Sequence, residues 1–271
     1  MKTSRFLTFF PVSLFLAVML AGCSGKPPGT YQGYVEGEYV YVASPLGGAL
    51  NKLTVARGDT VKAGQMLFEL ERQSEAAALD QAQKNLAQAT ASRDLAASNY
   101  QRRKELRESP SAVVSAEELD TARADRDTAE AQLASQAAAL DKAKWSFDQK
   151  QQAAPTNAFV QDTLYRQGEW VAAGNPVIAL LPPDNLKVRF FVPQEDLPKI
   201  KTGATANVTF DGTAKVYAAT VNYISAQAEF TPPVIYNREN RSKLVFMIEA
   251  KFSAADAPEL RPGQPVDVKL P

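Results

Sequence analysis

"GGALNKLTVARGDTVKAGQMLFEL" (47–70) and "NAFVQDTLYRQGEWVAAGNPVIAL" (157–180) are two versions of one pattern. Aligned without gaps they lie 110 residues apart: Gly58 falls on Gly168, Val61 on Val171 and Gly64 on Gly174. Leu67 falls on Val177, and Leu70 on Leu180. The shared signature is Gly-x-x-Val-x-x-Gly followed by alternating apolar residues. Glycine suits a turn with positive φ or a close approach of backbones. The alternation has the period of a half-buried strand. Each copy therefore reads as short strands around a glycine turn. Neither is large enough to bury a face alone, so the two must pack on each other as one two-part β-sandwich.

The segment between the copies, 72–153, has no glycine and a single proline, Pro110. Alanine, glutamine, leucine and charged residues dominate, all fair helix formers. Leu79, Leu86, Arg93 and Tyr100 recur every seven residues, with Ala82, Ala89 and Ala96 at the other seam position. After "ESPSAVVS" the order is mirrored by Leu119, Arg126, Leu133, Leu140 and Phe147, with Ala122, Ala129 and Ala143 between. This is a coiled-coil seam that folds back on itself. Pro110 cannot sit inside a helix, and Ser115 with Glu118 three residues on forms a capping box. An antiparallel hairpin follows, with arms of roughly 34 residues projecting about 50 Å. Arg93 and Arg126 fall at similar heights on the seam and should snorkel outward beside Asp94 and Asp127.

Beyond residue 181 the texture changes. "LKVRFFVP", "TANVTF", "AKVYAATVNYIS", "KLVFMIEAKF" and "PVDVKL" read as strands separated by turns, and "EDLPKIK" as a short helix. Five or six short strands suggest a small antiparallel barrel. The fold class is therefore α+β, mainly β, with a long helical hairpin.

The N-terminus, "MKTSRFLTFFPVSLFLAVMLAGC", has a charged start, an apolar middle and small residues before Cys23, the chain's one cysteine. That is the layout of a secretory signal over 1–22. "LAGC" resembles the bacterial lipobox, which makes Cys23 the lipidated first residue of the mature chain. An uncleaved anchor, or a signal with a chance cysteine, stays open as the alternative. Removing 1–22 takes away Lys2 and Arg5 and no acid, leaving 28 basic against 30 acidic residues. "SGKPPGTYQG" then reads as a flexible tether. The near-neutral charge gives no reason to expect a nucleic-acid partner.

The chain has no histidine, so the commonest general base and the commonest metal ligand are missing. No cysteine remains beyond Cys23, and "GGAL" lacks the strand–helix context of a dinucleotide fingerprint. No catalytic constellation, metal site or cofactor is therefore expected. A lipoyl or biotin carrier would need an exposed lysine at the tip of the strand unit, and that position is taken by the inserted helices.

Taken together, the lipobox, the split lipoyl-like (biotinyl-like) sandwich, the inserted hairpin and the terminal barrel resemble the HlyD-type membrane fusion proteins. These are the periplasmic adaptors of Gram-negative tripartite efflux and secretion systems. The resemblance rests on "VASPLGGALNKLTVARGDTVKAGQMLFELE", "VRFFVPQEDLPKIKTGATANVTFDG" and "ISAQAEFTPPVIYNRENRSKLVFMIEA". The last is closer to adaptors of ABC exporters than to those of proton-driven pumps. It implies signal peptide 1–22, tether 23–35, lipoyl-like halves 36–72 and 153–183, hairpin 73–152 and barrel 184–271. The membrane-proximal domain of the pump-type adaptors is expected to be absent after "LRPGQPVDVKLP".

The implied partners are an inner-membrane exporter, an outer-membrane channel and further copies of the chain, usually six. The implied location is the periplasm, anchored to the membrane by lipid on Cys23. Ser24 departs from the aspartate that bacterial lipoprotein sorting associates with the inner membrane, which leaves the choice of membrane open. In this family the tip docks on the channel through an Arg, a Leu four residues later and a Ser after the turn. Arg102, Leu106 and Ser115 match those types, with about two extra residues before the Ser. Each also has a plain role: Ser115 caps a helix, Leu106 closes the seam and Arg102 is a solvated charge. A structural coiled-coil envelope lipoprotein without transport is the alternative function.

Overall fold

The structure, a computed structural model, describes residues 29–110, 113–230 and 244–270. It divides into two units, one spanning Glu38–Asn185 and the other joining the chain up to Gly37 with Leu186 onward.

The first unit is built on the repeat. Strands β2 (Val40–Ala43), β3 (Gly48–Leu53), β4 (Thr60–Val61) and β5 (Met66–Leu70) precede the helices. Strands β6 (Gln151–Ala153), β7 (Ala158–Thr163), β8 (Trp170–Val171) and β9 (Pro176–Leu181) follow them. One sheet runs β2-β9-β7-β4 and the other β6-β5-β3-β8. Adding 110 to the first half's residue numbers turns one sheet into the other, so the halves interleave about a pseudo-twofold rather than standing side by side. The backbone bonds repeat the relation: Gly58 N–H donates to Val160 at 3.0 Å, and Gly168 N–H to Leu50 at 2.8 Å. Gly58 and Gly168 have φ of 99° and 91°, a conformation that a Cβ disfavours. Leu50, Val61, Leu67 and Leu70 and their mates Val160, Val171, Val177 and Leu180 are all fully buried in one core.

The helices α1 (Gln73–Glu108) and α2 (Ala116–Asp148) form the hairpin between the halves. Ala82, Ala89 and Ala122 are buried at the seam. The seam leucines are only half-buried, because two helices alone offer no third layer to cover them. Arg93 and Arg126 do pair with Asp94 and Asp127, at 3.2 and 2.6 Å. Arg126 also lies flat on Tyr100, with its guanidinium carbon 4.4 Å from the ring centre.

The second unit is a closed antiparallel barrel ordered β1-β10-β13-β12-β11-β14. Its strands are β1 (Thr30–Gly37), β10 (Leu186–Pro193), β11 (Thr205–Thr209), β12 (Val216–Phe230), β13 (Leu244–Phe252) and β14 (Pro265–Lys269). Val35, Val188, Phe190, Val208, Ile248, Ala250 and Val268 are fully buried inside it. "EDLPKIK" contributes one 3₁₀ turn, Leu197–Lys199.

Two boundaries differ from the sequence expectation. The tether was expected to run through residue 35, yet Thr30–Gly37 is the strand that closes the barrel, pairing with both β10 and β14. Gly33, which reads as a tether glycine, is a packing glycine: a Cβ there would run into the Arg189 carbonyl. The hairpin was expected through residue 152, yet Gln151–Ala153 is already strand β6, the pseudo-twofold mate of β2.

Candidate partner-docking site at the hairpin tip

The tip is where α1 stops and α2 starts. Ser109 ends α1 in an extended conformation, as the following Pro110 demands, and its hydroxyl donates to the Leu106 carbonyl at 2.7 Å. Ser115 starts α2 with a complete capping box. Its Oγ accepts from the Glu118 N–H at 3.2 Å, and Glu118 Oε2 accepts from the Ser115 N–H at 2.8 Å. Those hydrogen bonds from Ser115 hold the Glu118 carboxyl below its ordinary range, where it also favours the positive end of the helix.

Two arginines tie the arms together. Arg103 donates to the Glu118 carbonyl at 3.3 Å and Arg107 to the Val114 carbonyl at 3.1 Å, both across the turn. They sit four residues apart and so share a stripe of α1 that faces α2. Arg102 and Leu106 form the neighbouring stripe, also four apart, and neither is turned toward α2. Leu106 is 42% exposed and Val113, in the turn, 70% exposed. The exposed Arg102 and Leu106 are therefore free to meet a partner, while the Ser115 hydroxyl is already committed to its cap. Arg103 and Arg107 were missed in the sequence, where an arginine on a long polar helix reads as solvated charge. The i, i+4 spacing one residue out of phase with Arg102 and Leu106 was the available signal.

Below the tip, Tyr100 receives a hydrogen bond from Arg123 and carries Arg126 on its face. The Arg123 bond holds the phenol below its ordinary range. Cys23 lies outside the described residues. So does most of the "FTPPVIYNRENRSK" stretch behind the ABC-exporter resemblance. Among the described residues no helix is long and apolar enough to cross a membrane, and no group of three or more acidic or sulfur ligands could hold a metal ion.

Residues 78–150 match the alpha-helical hairpin domain of RND membrane fusion proteins. The UPF0194 membrane protein YbhG of Salmonella gallinarum is 29% identical to the chain, over 89% of this chain and 88% of its own length; that of Salmonella typhi aligns equally. The membrane fusion protein Spr0693 of Streptococcus pneumoniae superposes with a TM-score of 0.66 at 20% identity, covering 89% of this chain and 98% of that one. MacA of Actinobacillus actinomycetemcomitans gives 0.63 at 20% identity over 90% and 81%. The helical hairpin with mostly-strand domains is thus the membrane fusion protein fold.

Proposed function

We propose that the chain is a periplasmic adaptor of a tripartite efflux or secretion system, acting through geometry rather than chemistry. The observation that carries the proposal is the hairpin. Residues 78–150 match the RND membrane fusion protein hairpin, and they are rooted in an interleaved sandwich that extends the likeness over most of the chain. The two arms run 36 and 33 residues, about 50 Å, a length suited to crossing much of a periplasm.

In this reading several copies, six by family resemblance, form a tube. The tips face an outer-membrane channel, with Arg102 and Leu106 meeting it and Ser115 holding the turn in shape. Lipid on Cys23 fixes the other end to the membrane, the inner one being favoured by an exporter partner. The exporter is of ABC type; support for that is the sequence resemblance around "ISAQAEF". The cargo does not follow from a shared scaffold.

The test is in-cell photocrosslinking from a reactive residue at position 106. Capture of an outer-membrane channel protein is the expected result. Capture of sister copies alone, with export intact, would instead favour a structural envelope lipoprotein.

A further inference from the structure

The pseudo-twofold provides an internal control, because every position at the root of the hairpin has a mate 110 residues away where no hairpin is attached. At most positions the mates match. At the root they do not. Lys150, which follows α2, has the apolar mate Val40, and Ser44 has the mate Ala154.

Lys150 is buried, with its side chain 5% exposed. Its ammonium group donates to the Gly47 carbonyl at 2.7 Å and meets Glu75 Oε1, in the first turn of α1, at 3.0 Å. Gly48 leaves the room: a Cβ there would come within 3.2 Å of Nζ, whereas its mate is Ala158. Burial pushes the Glu75 carboxyl up, but hydrogen bonds from Ser74 and Lys150 outweigh it and hold the group below its ordinary range. Ser44, 1% exposed, places its hydroxyl 2.8 Å from the Gln149 carbonyl, at the last turn of α2. Arg72, before α1, lies 4.4 Å over the Phe147 ring of α2. One ion pair thus joins the start of α1 to the end of α2 and to the β2–β3 connection of the sandwich. A buried lysine is costly, and a solvated turn could have connected strand and helix without it.

We propose that Lys150, with Glu75 and Ser44, is a positioning lock. It fixes the direction of the hairpin on the sandwich, so that the two move as one lever. A buried charge with directional partners restricts orientation in a way that apolar packing does not. The lock rests on the adaptor reading only for its purpose; its geometry and its test stand without it.

The experiment is a pulsed electron-resonance distance measurement on the purified full chain carrying Cys23→Ser. Spin labels go on cysteines replacing the exposed Lys62 of the sandwich and Ser98 of α1. The otherwise unaltered chain should give one narrow distance distribution. Lys150→Met should broaden it at least twofold, and Glu75→Gln, which preserves shape, should broaden it less. Lys84→Met, removing a surface ion pair of α1 with Asp80, should leave the width unchanged while altering the charge equally. A distribution that is broad before substitution overturns the lock. So does an unchanged width in folded Lys150→Met. Should Lys150→Met fail to fold, Glu75→Gln decides alone, and an unchanged width there overturns the proposal. The isolated chain reports the lock, and crosslinking in cells reports the adaptor reading, so the two can fail separately.

Discussion

Lys187 and Glu249 form a 2.8 Å ion pair on adjacent strands of the barrel, both buried although both point away from its interior. Arg189 meets the same carboxylate at 2.8 Å and Glu36 at 2.8 Å, so two cations and two anions neutralise each other. Removing one partner leaves a charge without its full compensation. Lys187→Met is expected to cost about 3 kcal/mol, because breaking a buried pair typically costs ~3–5 and Arg189 remains beside Glu249. Denaturant midpoints checked at a constant slope measure it.

The pH dependence follows from the same carboxylate. Burial pushes Glu249 up, but hydrogen bonds from Lys187 and Arg189 and their charges outweigh it, and its pKa lies below the ordinary value. Glu75 is lowered as well. A carboxylate with a depressed folded pKa binds fewer protons folded than unfolded. Its contribution is present above the unfolded pKa, about 4.3, and is lost as pH falls through the folded one. With no histidine in the chain, the melting temperature should be nearly flat between about pH 6 and 8 and fall below about pH 4. Calorimetry across that range checks both limbs.

The pseudo-twofold predicts equal costs at equivalent turns. Gly58 and Gly168 share positive φ, matching hydrogen bonds and open space around a notional Cβ. Gly58→Ala and Gly168→Ala should each lose about 1–2 kcal/mol, the penalty of a left-handed conformation for a residue with a Cβ. The two values should agree within about 0.5 kcal/mol, and the double variant should be additive. Thermal unfolding of the three variants is the measurement.

At the tip, cap and contact residues separate. Ser115→Ala removes the capping box and should cost about 1 kcal/mol, read as faster amide exchange in the first turn of α2. Arg102→Glu and Leu106→Asp alter exposed side chains and should leave the melting temperature within about 1 °C while lowering export several-fold. Full export at normal expression would remove both from the docking surface.

How much of this was legible beforehand varied by element. Gly58, Gly64, Gly168 and Gly174 carried the sandwich, because a positive φ demands a residue type that alignment can match. The heptads and the Ser115–Glu118 box carried the hairpin, because local signals specify helix ends. Strand β6 was missed because "QQA" has three residues and no alternation; its pairing with β5 defines it. Strand β1 was missed because Gly33 imitates a linker, and its role depends on a carbonyl more than 150 residues away. Lys150 was invisible for a related reason: a lysine at a helix end ordinarily complements the helix dipole in water, and nothing local marks this one as buried.

The interleaving of β2–β5 with β6–β9 also dictates an order of events as the chain folds. Neither sheet can be completed from one half, since each contains strands from both. Residues 70 and 151 must meet first, and as a slack loop the eighty-odd residues between them would resist closure entropically. Zipping the coiled coil needs only near-neighbour contacts and forms early. Once it has zipped, it delivers the second half to the first in register. The rod is therefore also the clasp that makes its own base foldable.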